Sequence, residues 1–144
     1  MESNSNIGAC QPKILSEKNK NHFEYAGASG GYIDFLGYPY CRGRIFDTIE
    51  KDYGQYNEEK EVFWTSGSCM MIKSSLFHKL NGFDKDFFAH MEEIDLCWRI
   101  KRKGFINYCI PKSVIYHVGG ETLSYLNPKK TYLNFRDNLI MISK

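Results

Sequence analysis

Phe87-Phe88-Ala89-His90-Met91-Glu92-Glu93-Ile94-Asp95-Leu96-Cys97-Trp98-Arg99 places three carboxylates within four residues, with aromatics ahead of them and an amphipathic run behind. Stepping about 100° per residue from Ile94 puts Leu96, Cys97, Trp98 and Ile100 on one broad apolar arc. Asp95, Arg99, Arg102 and Lys103 fall opposite. The pattern predicts a helix of about three turns, ended by Gly104. Asp95 and Arg99 stand four apart and can pair across one turn. Glu92 falls with the polar group, whereas Glu93 falls on the apolar arc. Burial raises a carboxylate's pKa, and a raised carboxylate suits a general base. The other reading is a helix that starts later, with both glutamates solvated in its first turn. The wheel alone leaves both readings open.

Upstream of this stretch, Cys69 to Ile72 reads as a buried strand and Ser75 to Leu80 as a short helix capped by Ser74 and stopped by Asn81-Gly82. Ile7 to Leu15 reads as a short strand ended at Pro12 and then an extended segment. Val62 to Thr65 is apolar and β-prone. Ser66-Gly67-Ser68 lies between two apolar runs, where small residues let a backbone or ligand approach closely. Downstream, Phe105 to Ile110 reads as a strand closed by Pro111, and Val114 to Val118 as another closed by Gly119-Gly120. Asn127-Pro128 opens a last helix through Tyr132, Phe135, Leu139 and Ile142, a helical spacing. Tyr32 to Gln55 shows no clear period and reads as a long functional loop. Strands alternating with helices predict an α/β layer architecture.

The 144 residues suit one domain, and 42% hydrophobic with 25% charged residues excludes extensive disorder. A net charge of +2, with no basic stripe beyond Lys101-Arg102-Lys103, argues against nucleic acid as a partner. The five cysteines are odd in number and form no CxxC, which predicts a reducing, cytoplasmic setting without a disulfide framework. No segment reads as a signal peptide or a membrane span.

Three further features invite chemistry. Ala26 to Tyr32 is glycine-rich but fits neither nucleotide-loop pattern, so it reads as a closely packed loop. Asp84-Lys85-Asp86 has the D-x-D form but sits in a turn after a helix, so it reads as a turn motif. His117 ends a strand beside glycines, a place for a metal ligand or for a satisfied structural histidine.

Four segments together resemble the second half of a GT-A-fold, family-2 glycosyltransferase, nearest the bacterial rhamnosyltransferase-like members. They are Ser66 to Lys73, Leu80 to Phe88, Glu92 to Arg99 and Val114 to Gly120, in matching order over roughly residues 7 to 144. The resemblance implies residues 1–144 as a single partial domain, a mixed sheet with flanking helices. It would be the acceptor-side half, with the N-terminal nucleotide-binding half and its D-x-D missing.

The resemblance also implies roles. Glu92 and Glu93 match the acidic pair, whose second member is the base for an acceptor hydroxyl; most relatives carry Asp where this chain has Glu93. Trp64, Ser66, Gly67 and Ser68 would line donor and acceptor. His117 matches a histidine that completes a divalent metal site, Mg²⁺ or Mn²⁺ in the whole enzyme, with no tight metal expected on this half alone. The implied activity is inverting transfer from a nucleotide-sugar to a glycan or lipid-linked acceptor in bacterial surface polysaccharide synthesis. It would occur in the cytoplasm or at the inner face of the membrane, with membrane-surface association or a homo-oligomer covering the face left by the missing half. Two other readings stand beside it. One is a non-catalytic carbohydrate-binding or assembly module on the same half-fold, with Tyr32 to Tyr56 as its wall. The other is a metal-dependent hydrolase using His90, Glu92, Glu93 and His117.

Overall fold

The computed structural model describes residues 4–87, 90–119 and 128–144. Phe88 and Ala89 of the acidic stretch, and the element ends placed at Gly120 and Asn127, lie outside the described residues.

The chain begins with a long strand, β1 (Ile7–Ser16), buried along almost its whole length. Pro12 does not end it. Downstream, one strand, β8 (Ile106–His117), replaces the two expected around Pro111. Both corrections have one cause. β1 and β8 run parallel, and their register breaks between Pro12 and Lys13: one step along β1 meets a step from Ile110 to Val114 on β8. The extra residues form a bulge, where the missing proline N–H leaves no ladder bond unmade. On the outer edges, β6 (Lys60–Val62) pairs antiparallel with β8, and β7 (Met71–Ile72) antiparallel with β1. The resulting mixed sheet has the order β6-β8-β1-β7.

The segment Tyr32 to Gln55 is a third correction. It is mostly a small antiparallel meander of β2 (Gly31–Ile33), β3 (Pro39–Cys41), β4 (Arg44–Ile45) and β5 (Thr48–Ile49). Strands of two or three residues are too short to show a period, so the pattern hid them. The glycine-rich stretch feeds this meander. A Cβ on Gly31 would run into the Trp64 indole, so close packing explains that glycine.

Helix α1 (Ser74–Lys79) and helix α2 (Glu92–Arg102) cover the sheet near the start of β1. Leu76, Leu80, Leu96 and Ile100 pack there with Ala9 in one core. α2 ends as expected: Gly104 takes φ +83°, its N–H donates to the Lys101 carbonyl, and the Phe105 N–H donates to the Ile100 carbonyl. A second core gathers Leu15, Phe23, Cys41, Trp64, Ile94 and Cys97 with Met141 of the last helix, α3 (Pro128–Ile142). α3 forms as the spacing predicts, but it is turned over. Tyr132, Phe135, Leu139 and Ile142 are exposed, while Leu133, Asp137 and Met141, each four apart, face inward.

Candidate active site

A cleft of about 580 Å³ opens between the mixed sheet, the meander and α3. It contains His117, at the carboxyl end of β8, and the start of α2. In open α/β sheets this is the side where ligands bind. Glu92, Glu93, Trp64, Ser66, Gly67, Ser68, His90 and His117 all line it, so the residues singled out in the sequence come together in space.

The backbone aims the two glutamates. His90 has φ +73° and Met91 φ +70°, two left-handed non-glycine residues in succession immediately before α2. Such conformations cost roughly 1–3 kcal/mol each and persist where the surroundings over-determine them. Here the buried Met91 side chain anchors the turn in the second core. The helix therefore starts at Glu92, not later, and neither glutamate is a fully solvated first-turn acid.

Glu93 lies across Gly67: a Cβ built on that glycine would sit 3.6 Å from the Glu93 Cβ and 3.8 Å from its Cδ. Burial first, and then the charge of neighbouring Glu92, push the Glu93 carboxyl up to about 7, with amides of Glu93, Gly67 and Ile94 only partly opposing them. Its Oε2 is buried without a hydrogen-bond partner among the described residues, and so is the Oε2 of Glu92. Burial also raises Glu92, partly opposed by its own amide, with an added push from Asp137. A carboxyl poised near neutrality and open toward a cleft fits a proton acceptor.

The Ser66-Gly67-Ser68 loop is held from below. The Ser66 N–H donates to Gln11 Oε1 at 2.8 Å, and Gln11 Nε2 donates to the carbonyls of Pro12 and Gly27. Ser66 Oγ donates to the Ala26 carbonyl at 2.7 Å. Gly27, at φ +108°, lies so close to the Ser66 side chain that no Cβ fits. The glycine-rich stretch thus supports the loop under Glu93. Trp64 is buried in the wall and spends its indole N–H on the Tyr32 carbonyl at 2.9 Å, leaving its ring to pack. Cys97, held near pKa 12 by burial, receives the Thr65 N–H at 3.3 Å and ties the segment before Ser66 to α2.

His117 stands at the rim with its Nδ1 3.4 Å from Oε2 of the buried Glu24. Among the described residues no three His, Cys, Asp or Glu side chains gather as a metal-holding group. His117 therefore offers one donor beside Glu24, and these residues do not by themselves make a metal site. The hydrolase set is in one cleft, but the same observation leaves it without a metal cradle. Asp84-Lys85-Asp86 is a turn: the Asp86 N–H donates to Asp84 Oδ1 at 2.9 Å, and Asp84 Oδ2 pairs with Lys144.

The sequence reading missed the roof: Asn134, Phe135 and Asn138 of α3 line the cleft, as does Tyr25, while Tyr38 and Arg44 belong to the Tyr32 to Tyr56 segment that one reading made a wall. Asp137 is fully buried and paired with Arg136 at 2.6 Å. An Asp-Asn pair interrupting an apolar helical stripe was the available signal.

An acidic cleft at the carboxyl side of a mixed α/β sheet, with a glycine beneath a raised carboxyl, is compatible with a glycosyltransferase-like domain. The comparisons with known proteins agree. No family model matches the chain. It is 33% identical over 115 residues to the N-acetylglucosaminyl-diphospho-decaprenol L-rhamnosyltransferase of Mycobacterium tuberculosis, covering 75% of this chain and 37% of that protein. It is 30% identical over 88 residues to the low-salt glycan biosynthesis hexosyltransferase Agl10 of Haloferax volcanii, covering 60% of this chain and 29% of that one. It is 40% identical over 50 residues to the rhamnosyltransferase WbbL of Escherichia coli K12, covering 35% and 19%. The chain is a homologue of rhamnosyltransferases and other glycosyltransferases, as the sequence resemblance indicated, and it spans little more than a third of the mycobacterial relative's length.

Proposed function

We propose that residues 1–144 are the acceptor-side half of a GT-A-fold, family-2 glycosyltransferase whose nucleotide-binding half lies outside this chain. Glu93 is the base. It takes the proton of an acceptor hydroxyl; that oxygen attacks the anomeric carbon of a nucleotide-activated sugar, and the nucleoside diphosphate leaves from the opposite face with inversion. Glu92 sets the charge state of Glu93, and Ser66, Gly67, Ser68 and Trp64 shape the floor. The observation that carries this reading is the Glu93 carboxyl, raised to about 7 and open to the cleft over Gly67.

Two relatives are rhamnosyltransferases by name, and the mycobacterial one acts on a diphospho-decaprenol-linked sugar. A glycan or lipid-linked acceptor follows for this chain, in surface polysaccharide synthesis at the inner face of a membrane. A Mg²⁺ or Mn²⁺ ion, when bound, would stabilise the leaving diphosphate. His117 can contribute one ligand, the rest coming from the other half. In the complete protein, Glu93→Gln is expected to lower kcat about 10²- to 10⁴-fold while donor affinity holds. Wild-type turnover in that variant overturns the assignment.

A further inference from the structure

The transfer reaction leaves one buried cation of the cleft without a task. Arg44 is the only Lys or Arg among the described lining residues, and it is 8% exposed. Its guanidinium lies 4.3 Å from the centre of the Tyr25 ring. Nη1 donates to the Phe46 carbonyl at 3.1 Å, and Nη2 reaches Cys41 Sγ at 3.6 Å. Nε is buried and has no acceptor among the described residues, and no ion pair among them involves Arg44. A charge taken out of water costs several kcal/mol unless an opposite charge meets it. A ring face returns roughly 2 kcal/mol of that. Asp47, Glu92 and Glu93 line the same cleft, yet none of them pairs with this guanidinium.

The surroundings narrow the anion's chemistry. Arg44 and Glu93 both act on the buried Cys41 thiol, the first lowering its pKa and the second raising it, so both lie about one side chain. Beyond Arg44, the β4–β5 hairpin turns at Phe46, a bulky residue at φ +49° and 76% exposed. Aromatics are rarely held in that conformation. Here it sets an exposed apolar residue on the lining of the same cleft, with its carbonyl on the guanidinium. A planar fork matches phosphoryl oxygens, and an exposed ring next to it suits an amphiphile.

We propose that Arg44, seated on Tyr25, is a diphosphate-binding subsite of the cleft, with Phe46 a rest for whatever the diphosphate carries. The inference rests on the transferase reading for its occupant, since both a nucleoside diphosphate donor and a lipid-linked acceptor carry this group. It is tested by binding alone. Titrations of the chain with pyrophosphate, thymidine diphosphate and farnesyl diphosphate, followed by calorimetry and ³¹P NMR, should show binding. Arg44→Ala should weaken it by about tenfold or more, as loss of a charge-assisted hydrogen bond does. Arg44→Lys keeps the charge without the fork and should fall between; it stands in if the alanine variant melts early. Farnesyl diphosphate binding above thymidine diphosphate, with the excess lost in Phe46→Ser, supports the subsite and assigns it to a lipid-linked acceptor. The reverse order supports it and assigns it to the donor. Equal affinities in wild type and both Arg44 variants, or no diphosphate binding by the folded wild type, overturn it. Such a failure leaves the transferase reading standing, because that reading is tested by turnover of Glu93→Gln.

Discussion

At the residue scale, the proposed base Glu93 should act on activity and on stability in opposite directions. Its carboxyl rises from 4.5 to about 7, so folding favours the protonated form. The stability this gives is complete below about pH 4.5 and is lost as pH rises through about 7. Glu93→Gln should therefore be more stable than wild type above pH 7, by roughly 2–3 kcal/mol, and nearly equal to it at pH 4. Urea unfolding at the two pH values measures this; a constant difference would show that folding leaves the Glu93 carboxyl unshifted. Activity runs the other way, because a base must be ionised, so turnover should climb with pH through neutrality. Glu92→Gln removes the charge that raises Glu93 and should shift that rise to lower pH. The burial of Glu93 was half visible in the sequence. The helical period placed it on the apolar arc, but its depth comes from the His90-Met91 turn and from Gly67, neither of which the period records. Arg44 and Asn138 left no trace because the meander and α3 take their places at the cleft through packing that no local period records.

At the element scale, α2 works as a clamp. Arg99 Nε donates to Asp95 Oδ2 at 2.8 Å, Nη1 to the Leu80 carbonyl at 2.6 Å and Nη2 to the Gly82 carbonyl at 2.9 Å. One side chain thus satisfies its own helix and fixes the end of α1 to it. Asp95 is 4% exposed, so its removal strands the guanidinium. Asp95→Ala should cost about 3 kcal/mol, read as a lower urea midpoint with an unchanged slope. A cost under about 0.5 kcal/mol would class the contact with exposed pairs. This pairing was legible because its spacing lies within one helix and Gly104 marks the end. β1 and β8 were misread at Pro12 and Pro111 because a proline reports only its own missing donor. Whether that donor is needed depends on the partner strand. The meander was hidden for a related reason: strands of two or three residues are defined by pairing, and pairing is not local.

At the scale of the whole molecule, the outward turn of α3 leaves an apolar face that the described residues do not cover. Tyr132, Phe135, Leu139 and Ile142 are 62%, 54%, 63% and 45% exposed, and Phe35 and Leu36 at the neighbouring meander are 94% and 54% exposed. The two parts are continuous: Tyr38 meets Phe135 edge-on at 6.2 Å, and a Cβ on Gly37 would touch Ile142. α3 and the meander also wall the cleft, so this face lies beside the site proposed for the acceptor. No helix among the described residues is long and apolar enough to cross a membrane. A lipid-linked acceptor presents its sugar at a bilayer surface, and aromatics beside the cleft would bring Glu93 to it. The chain should therefore float with anionic phospholipid vesicles. Phe35→Ser combined with Leu139→Ser should abolish flotation while thermal melting stays within a few degrees of wild type, both residues being exposed. Flotation unchanged in the double variant would place the membrane contact elsewhere. A concentration-dependent dimer in sedimentation, with no vesicle binding, would assign the face to a second copy of the chain, and the acceptor would then reach the cleft from a direction the dimer leaves open.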